Sequence, residues 1–404
     1  MSFCHLCSSD NLLPLIDFGR HPIAKHYLMA ESDERPDWPV KLFFCESCWL
    51  SQLLDSCPPE VIYDDYVTLS SWKFQPQVKH EIETVQKITG LSLDANIIEI
   101  GCNDAMFLDE LALVGYKNIL GIEPSGDAHA LAVAKGFDVV QEFLTPILSE
   151  SLIEQRGKFD LFISRQNLEH ISDLKGVVAS IDILLKPNGF VLIELPNYDC
   201  NLRCQDYSLW EEHVNYFTVD TLSYFLSLSN IKVIHQEIFL FSGEGIFVIG
   251  QKIEKANYSL DYVPALREKN VEYAAYWPLF RAQITEYLKL QKQAGKKVAV
   301  YGAGARAFCL INFAGLASYI DVILDDQKEK QGRFMPGGRL PIVSSEILYT
   351  QGIDICLLAV NAENEDKVIS KHLKWKEKGG QFWSVFPPSN HLLPVWASKD
   401  ASEV

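Results

Sequence analysis

Nowhere in the chain is there an uncharged apolar run of about 18 residues, the length a helix needs to cross a bilayer. The first ten residues, MSFCHLCSSD, also lack the apolar stretch of a secretory leader. Both absences lead us to expect a soluble, cytoplasmic protein with no membrane partner. Positive charge is scarce as well: 36 Lys and Arg stand against 53 Asp and Glu, a net charge of −17. Such a field repels a phosphate backbone, so nucleic acid is not an expected partner. Repeats with a period of about 20 to 50 residues and low-complexity segments are missing too, which excludes solenoids and disordered arrays. What is present is core-forming: 48% of the 404 residues are hydrophobic and 22% charged, enough for two or three folded domains.

The ten cysteines are unevenly spread. Cys4 and Cys7 form one C-x-x-C and Cys45 and Cys48 a second, with 37 residues between the pairs. A two-residue gap lets both thiolates of a turn face one tetrahedral ion, so the four read as a closed, structural zinc site with no open position for substrate. Disulfides or unrelated buried thiols are the other readings, and a reducing cytosol disfavours the first. Cys57, Cys102, Cys200, Cys204, Cys309 and Cys356 are scattered and read as packing residues.

Apolar periodicity divides the rest. Residues 1–75 hold the cysteine pairs among Pro and turn residues, a metal-stapled module with little core of its own. From 76 to 255, apolar strands at 96–103, 118–124, 159–167, 189–197, 231–238 and 245–252 alternate with amphipathic helices, which predicts a largely parallel α/β sheet. Residues 256–295 read as a helical linker, and 296–404 repeat the alternation as a second Rossmann-like unit ending in a polar tail.

Glycine is scarce where a phosphate cradle would need it. IIEIGCNDAMFL is a strand turning into a helix, yet only Gly101 is present, with Asn103 and Ala105 where further glycines would stand. A second strand ends in Glu123-Pro124, and an acid there can hold both hydroxyls of a ribose. An adenosine cofactor without phosphates, S-adenosylmethionine, fits this better than NAD. The third strand runs into Gln166, Asn167, Glu169 and His170, and the fourth follows the turn Lys186-Pro187-Asn188-Gly189.

These four pieces in this order resemble class I S-adenosylmethionine methyltransferases. The ordered set Cys4-x-x-Cys7, DFGRHPIA (17–24), Cys45-x-x-Cys48, DDYVTLSS, EIGCNDAMFL, GIEPS, NLEHI, EEHVNYFT, YGAGARA and DDQKEKQGRFMPGGRLPI further resembles the sugar C-methyltransferase family over nearly the whole chain. That resemblance implies a small-molecule acceptor, a nucleotide-linked keto-deoxysugar methylated on a carbon beside its ketone through an enolate. It implies His213 as the base with Glu212 as its acidic neighbour, and His170 lining the site. For the cofactor it implies Glu99, Gly101, Asn103, Asp104, Glu123, Pro124, Gln166 and Asn167. A histidine titrates near working pH, which suits it to this proton transfer.

The chain departs from the family pattern at three places, one of them FSGEG (241–245), where relatives carry a Gly-Gly-Ser turn. Relatives commonly have Tyr where Thr68 and Trp210 stand, leaving Tyr63, Tyr66 or Tyr216 as candidate phenols, with Tyr66 the nearest to Thr68. These departures keep open an O- or N-methyltransferase, and the worn glycine turn keeps open an inactive S-adenosylmethionine-binding homologue. In the C-terminal unit, VAVYGAGARA followed by Asp325-Asp326 reads alone as a dinucleotide fingerprint. The resemblance implies instead that Gly302, Gly304, Arg306, Lys330 and Arg333, with Tyr216, hold the nucleotide-sugar. The oligomeric state stays open, leaning to a monomer.

Overall fold

The computed structural model describes residues 3–58, 61–62, 75–241, 243–258 and 264–394. Its strands in chain order are β1 (Leu12–His21), β2 (Trp38–Cys45), β3 (Ser51–Leu53), β4 (Asn96–Ile100), β5 (Asn118–Ile122), β6 (Asp138–Val140), β7 (Phe159–Arg165), β8 (Leu185–Pro196) and β9 (Asn215–Tyr216). There follow β10 (Ile231–Leu240), β11 (Glu244–Lys252), β12 (Val298–Tyr301), β13 (Val322–Leu324), β14 (Ile342–Val343), β15 (Ile355–Leu358) and β16 (Gln381–Ser384). They make three sheets. No helix among the described residues is long and apolar enough to cross a membrane.

The central sheet has the order β10-β11-β8-β7-β4-β5-β6. Strands β4 to β8 pair in parallel, and β11 and β10 add an antiparallel hairpin at one edge. β4 takes β5 on one side and β7 on the other, so the chain reverses direction across the sheet there. A crevice opens at such a reversal, outside the carboxyl ends of the strands. Ile97, Ile98, Leu161, Phe162, Ile163, Val191, Leu192 and Ile193 are fully buried, as expected of strands covered by helices on both faces. Strand β8 begins earlier than the sequence suggested: Lys186 to Gly189 lie inside it as an irregularity, with Asn188 at φ 62°.

The C-terminal sheet, β14-β13-β12-β15-β16, is parallel throughout. Its reversal lies between β12 and β15, where Gly302 sits at φ 101°. A Cβ on Gly302 would lie 3.0 Å from Val360 Cγ1 and 3.1 Å from the Ala359 carbonyl oxygen, so close strand packing and backbone conformation both require glycine.

The first sheet departs most from expectation. β1, β2 and β3 form an antiparallel meander, and its fourth strand, β9, comes from EEHVNYFT more than 160 residues later in the chain. The cysteine module therefore shares its sheet with the segment that carries His213. It also shares a core with the helix Pro264–Gln293, whose buried residues Leu266, Asn270, Tyr273, Trp277, Phe280, Ile284 and Leu288 recur at three- and four-residue steps. Trp277 meets Phe18 of β1 edge-on at 4.9 Å between ring centroids, and Phe280 stacks on Phe386 at 6.1 Å. Asn270 accepts the hydroxyls of Ser51 at 2.8 Å and Tyr198 at 3.1 Å. This helix is thus a wall shared by the first sheet, the C-terminal unit and the helix Tyr198–Cys204 that follows β8.

Ile284 is fully buried in that wall, and truncating such a side chain costs about 2–5 kcal/mol. Ile284→Ala is expected to lower stability by about that amount in denaturant titration, with one transition if the wall couples the units and two if it does not.

Candidate functional site

The four cysteine sulfurs of the two C-x-x-C pairs converge, all within 4.8 Å of one another. Cys4 Sγ lies 3.4 Å from Cys48 Sγ and Cys7 Sγ 3.5 Å from Cys45 Sγ, and all four are free thiols. Zinc bound at roughly 2.3 Å to each sulfur of a tetrahedron needs sulfur separations of roughly 3.8 Å, so the set fits the ion after small side-chain shifts. The other six cysteines are also free, and all are buried.

The cysteine turn is wired to the central sheet through Asn215, which is 1% exposed. The Asn215 Oδ1 lies 2.9 Å from His5 Nδ1, within the first C-x-x-C. Its Nδ2 donates to the carbonyls of Leu168 at 3.1 Å and Ile171 at 2.7 Å. Those two carbonyls bracket the single turn that carries Glu169 and His170. His5 N–H also donates to Gln52, the residue that pairs with Asn215 across β3 and β9.

The His170 ring lies edge-on to His213 at 4.7 Å between centroids, and Trp210 tilts against His213 at 4.8 Å. His170 Nδ1 sits 3.0 Å from the Glu212 carbonyl oxygen, so a neutral ring donates there and keeps Nε2 as its lone-pair nitrogen. Burial lowers the pKa of His170 to about 4 and that of His213 well below the ordinary value, with the His170 and Lys25 charges adding to the effect at His213. Both rings are therefore neutral near pH 7. The Glu212 carboxylate pairs with Lys25 Nζ at 3.0 Å, and Glu211 accepts the Ala24 N–H. Burial raises Glu211 and Glu169 to about 8. Neither oxygen of Glu169 has a hydrogen-bond partner among the described residues.

Lys25, Glu169, His170, Trp210 and His213 line a cleft of about 870 Å³ walled by all three sheets, whereas Glu211 and Glu212 stand behind its wall. From the strand ends of the central sheet come Glu99, Gly101, Asn103, Asp104, Gln166, Glu169 and His170; from the β9 segment of the first sheet, His213 and Tyr216; from the C-terminal unit, Gly302, Gly304, Arg306 and Lys330; from the chain after β1, Ala24, Lys25 and Tyr27. Glu123, Pro124, Asn167 and Arg333 do not line it. Glu123 lies just behind, accepting the N–H groups of Asn103 at 2.9 Å and Ser125 at 2.8 Å. Asn167 packs over Gly101, where a Cβ would fall 2.8 Å from its Cγ. Arg306 pairs with Asp206 at 3.0 Å and Lys330 with Asp325 at 3.1 Å. The Tyr216 hydroxyl donates to the Trp210 carbonyl at 3.0 Å. Tyr63, Tyr66 and Thr68 lie outside the described residues.

The loop after β4 has the shape of a ligand cradle without the expected glycines. Gly101, Asn103 and Ala105 take φ of 69°, 51° and 63°, and Gln166 after β7 takes 47°. A left-handed conformation costs a non-glycine residue about 1–2 kcal/mol, and such strain gathers at ligand sites. The loop is held by Glu123 and by the Asn103 side chain, which accepts the Asp104 N–H at 2.8 Å. Beneath it, Glu99 keeps Oε2 buried without a hydrogen-bond partner among the described residues, an acceptor suited to a cationic ligand. These features fit S-adenosylmethionine. Sequence reasoning did not single out Lys25, Asn215 or Arg165. Arg165 is a mostly buried part of the cleft wall, paired with Glu81 at 3.0 Å and Glu194 at 2.5 Å.

Three family models match the chain in series: a zinc binding domain over residues 4–63, a methyltransferase domain over 74–236 and a C-methyltransferase C-terminal domain over 268–387. The C-methyltransferase NovU of Streptomyces niveus is 26% identical over 95% of both chains. EEF1A lysine methyltransferase 2 of Homo sapiens is 31% identical, over 31% of this chain and 58% of that one. Among solved structures, a 1,6-didemethyltoxoflavin-N1-methyltransferase of Burkholderia thailandensis aligns at a TM-score of 0.40, 14% identical over 51% of this chain and 96% of its own. A SAM-dependent methyltransferase of Archaeoglobus fulgidus aligns at 0.35, 16% identical over 43% and 93%.

Two outcomes test the wiring. Cys48→Ser is expected to lose metal content by elemental analysis and to lower Tm, since a structural ion's binding energy is folding energy. Asn215→Leu leaves two carbonyls and a His5 nitrogen without their partner, at about 1–3 kcal/mol for each buried group left unsatisfied. Hydrogen exchange should then quicken at residues 168–171 ahead of the rest of the central sheet.

Proposed function

Because this chain is an S-adenosylmethionine-dependent C-methyltransferase, with a zinc-binding domain, a methyltransferase domain and a C-methyltransferase domain in series, we propose that it methylates a carbon beside the ketone of a nucleotide-linked keto-deoxysugar, His213 removing that carbon's proton. The observation that carries the reading is the neutral His170 and His213 pair, which faces a cleft shared by the strained cofactor loop and the C-terminal strand ends. The same reading divides the chain near residues 75, 255 and 295.

Bound S-adenosylmethionine supplies an electrophilic methyl group. Glu99, Gly101, Asn103, Asp104 and Gln166 line the part of the cleft that would hold it, and Glu123 fixes the loop from behind. His213 is neutral because burial disfavours its charged form, so it can accept a proton without first losing one. His170, anchored through Nδ1 to the Glu212 carbonyl, packs its ring against His213 and limits its rotation. On the opposite wall, Gly304 leaves open space at the start of the helix Ala305–Phe313, beside Arg306, where a diphosphate would find N–H groups and a guanidinium. Arg306 would then exchange or share its partner Asp206.

The test is incubation with labelled methyl donor and a panel of nucleoside-diphosphate 4-keto-deoxysugars, followed by NMR of the product. A new C–CH3 on a ring carbon supports the reading, and a methyl on oxygen or nitrogen overturns it. His213→Ala is expected to cut turnover about 10²–10⁴-fold with donor affinity unchanged. The base is active when neutral, and its pKa is depressed. The acid limb of kcat/KM should accordingly fall well below pH 6.5, with no loss of rate on going from pH 8 to pH 7.

A further inference from the structure

We propose that Lys25 stabilises the oxyanion of this reaction, its ammonium donating to the acceptor's ketone oxygen as charge builds there. The proposal rests on the enolate reading above and names the group that reading lacks.

Removing a proton beside a ketone places negative charge on the ketone oxygen, and a fixed donor aimed at that oxygen is among the largest contributions an enzyme can make. Among the described residues, the phenols around the cleft are committed elsewhere. Tyr216 donates to the Trp210 carbonyl, Tyr27 to the Ala303 carbonyl and Tyr301 to the Asp326 carboxylate. Lys25 is placed differently. It follows the first sheet's longest strand into the cleft, and its ammonium rests 3.0 Å from Glu212 Oε2 and 4.5 Å from the centroid of the Trp210 ring. The same Trp210 ring packs on His213. Carboxylate and indole face thus hold a cation beside the imidazole that takes the proton, with the lysine side chain 13% exposed and that of Glu212 1%.

The charges suit the step. Lys25 and Glu212 are a neutral pair at rest. When the C–H bond breaks, the proton goes to a nitrogen of His213 and the electron pair to the ketone oxygen as a C=C bond forms. The ammonium, with three donors, can then serve the new oxyanion beside Glu212. In the following step the enolate's electron pair forms the bond to the incoming methyl and the ketone is restored, while the methyl donor's sulfur keeps its former bonding pair as a neutral thioether. Trp210 offers the strongest aromatic face for seating a cation, which makes Lys25 and Trp210 a matched pair.

The experiment is solvent exchange of the probe's carbon-bound hydrogens next to its ketone, followed by NMR in D2O. A deoxythymidine-diphosphate 4-keto-6-deoxyhexose is used with S-adenosylhomocysteine in the cofactor site. The wild-type protein is expected to catalyse exchange. Lys25→Met should slow it about 10²–10³-fold, with Lys25→Gln between and Lys25→Arg closest to wild type. Affinity for S-adenosylhomocysteine and zinc content should be unchanged in each. If Lys25→Met does not fold, the order of Arg, Gln and wild type still decides. Rates that are equal across the variants overturn the role of Lys25 while leaving the enolate reading intact. Absence of exchange in the wild type overturns the enolate reading itself.

Discussion

Every polar atom of the Asn215 side chain has a partner, and its three hydrogen bonds join parts of the chain far apart in sequence. One end reaches the cysteine turn through His5, the other holds the turn that carries His170, and its backbone adds the fourth strand to the first sheet. His213 is two residues away on the same segment. Both histidines are therefore positioned relative to the zinc ligands rather than to the central sheet alone. Water cannot stand in for these bonds at a site 1% exposed, so losing one leaves a buried group unsatisfied. A metal site with no open coordination position can in this way govern the geometry of a reaction it does not touch.

A second constraint, at the wall of the cleft, is one of charge. Arg165 is buried among Glu81, Glu194 and Glu99, and its guanidinium rests 4.4 Å from the centroid of the Phe107 ring. Burial raises Glu81 and Glu99 to about 8, while Arg165 pulls both the other way. Near pH 7 these two carboxyls therefore hold their protons, and a cationic ligand beside Glu99 would favour its ionised form. S-adenosylmethionine carries a sulfonium and an ammonium, while the demethylated product has lost the sulfonium charge. The same cluster would then hold the donor more firmly than the product. Glu99 bears most on this difference, since its Oε2 is buried without a hydrogen-bond partner among the described residues.

What the sequence made legible was local. Strand periodicity located β4, β5, β7, β10 and β11 to within a few residues, and the paired C-x-x-C spacing announced four sulfurs that do converge. What it hid was pairing over long distances. Asn215 and Tyr216 are too few to show an alternating pattern, and their partners Ser51 and Gln52 lie more than 160 residues earlier. The helix 264–293 was legible as a helix from apolar positions at three- and four-residue steps, but the partners that bury that stripe lie far away in sequence. Lys25 was invisible for a similar reason. A single lysine after DFGRHPIA has no local signature, and its meaning comes only from the Glu212 and Trp210 that the fold sets against it.

The strained loop and the substituted aromatic point to the same lesson about motifs. Asn103 and Ala105 stand where glycines would make left-handed backbone easy, yet both adopt it, held by Glu123 and by the Asn103 side chain. Missing glycines did not remove the cradle; they transferred its cost to hydrogen bonds. Trp210 makes the parallel case in chemistry. An indole cannot provide a phenol's hydroxyl, but its face can seat an ammonium that brings both a donor and a full charge. A worn motif is therefore weak grounds for inferring lost activity, because the element that replaces it need not lie near it in sequence. In this cleft the replacement arrives from the first sheet, a unit whose composition suggested nothing beyond a metal staple.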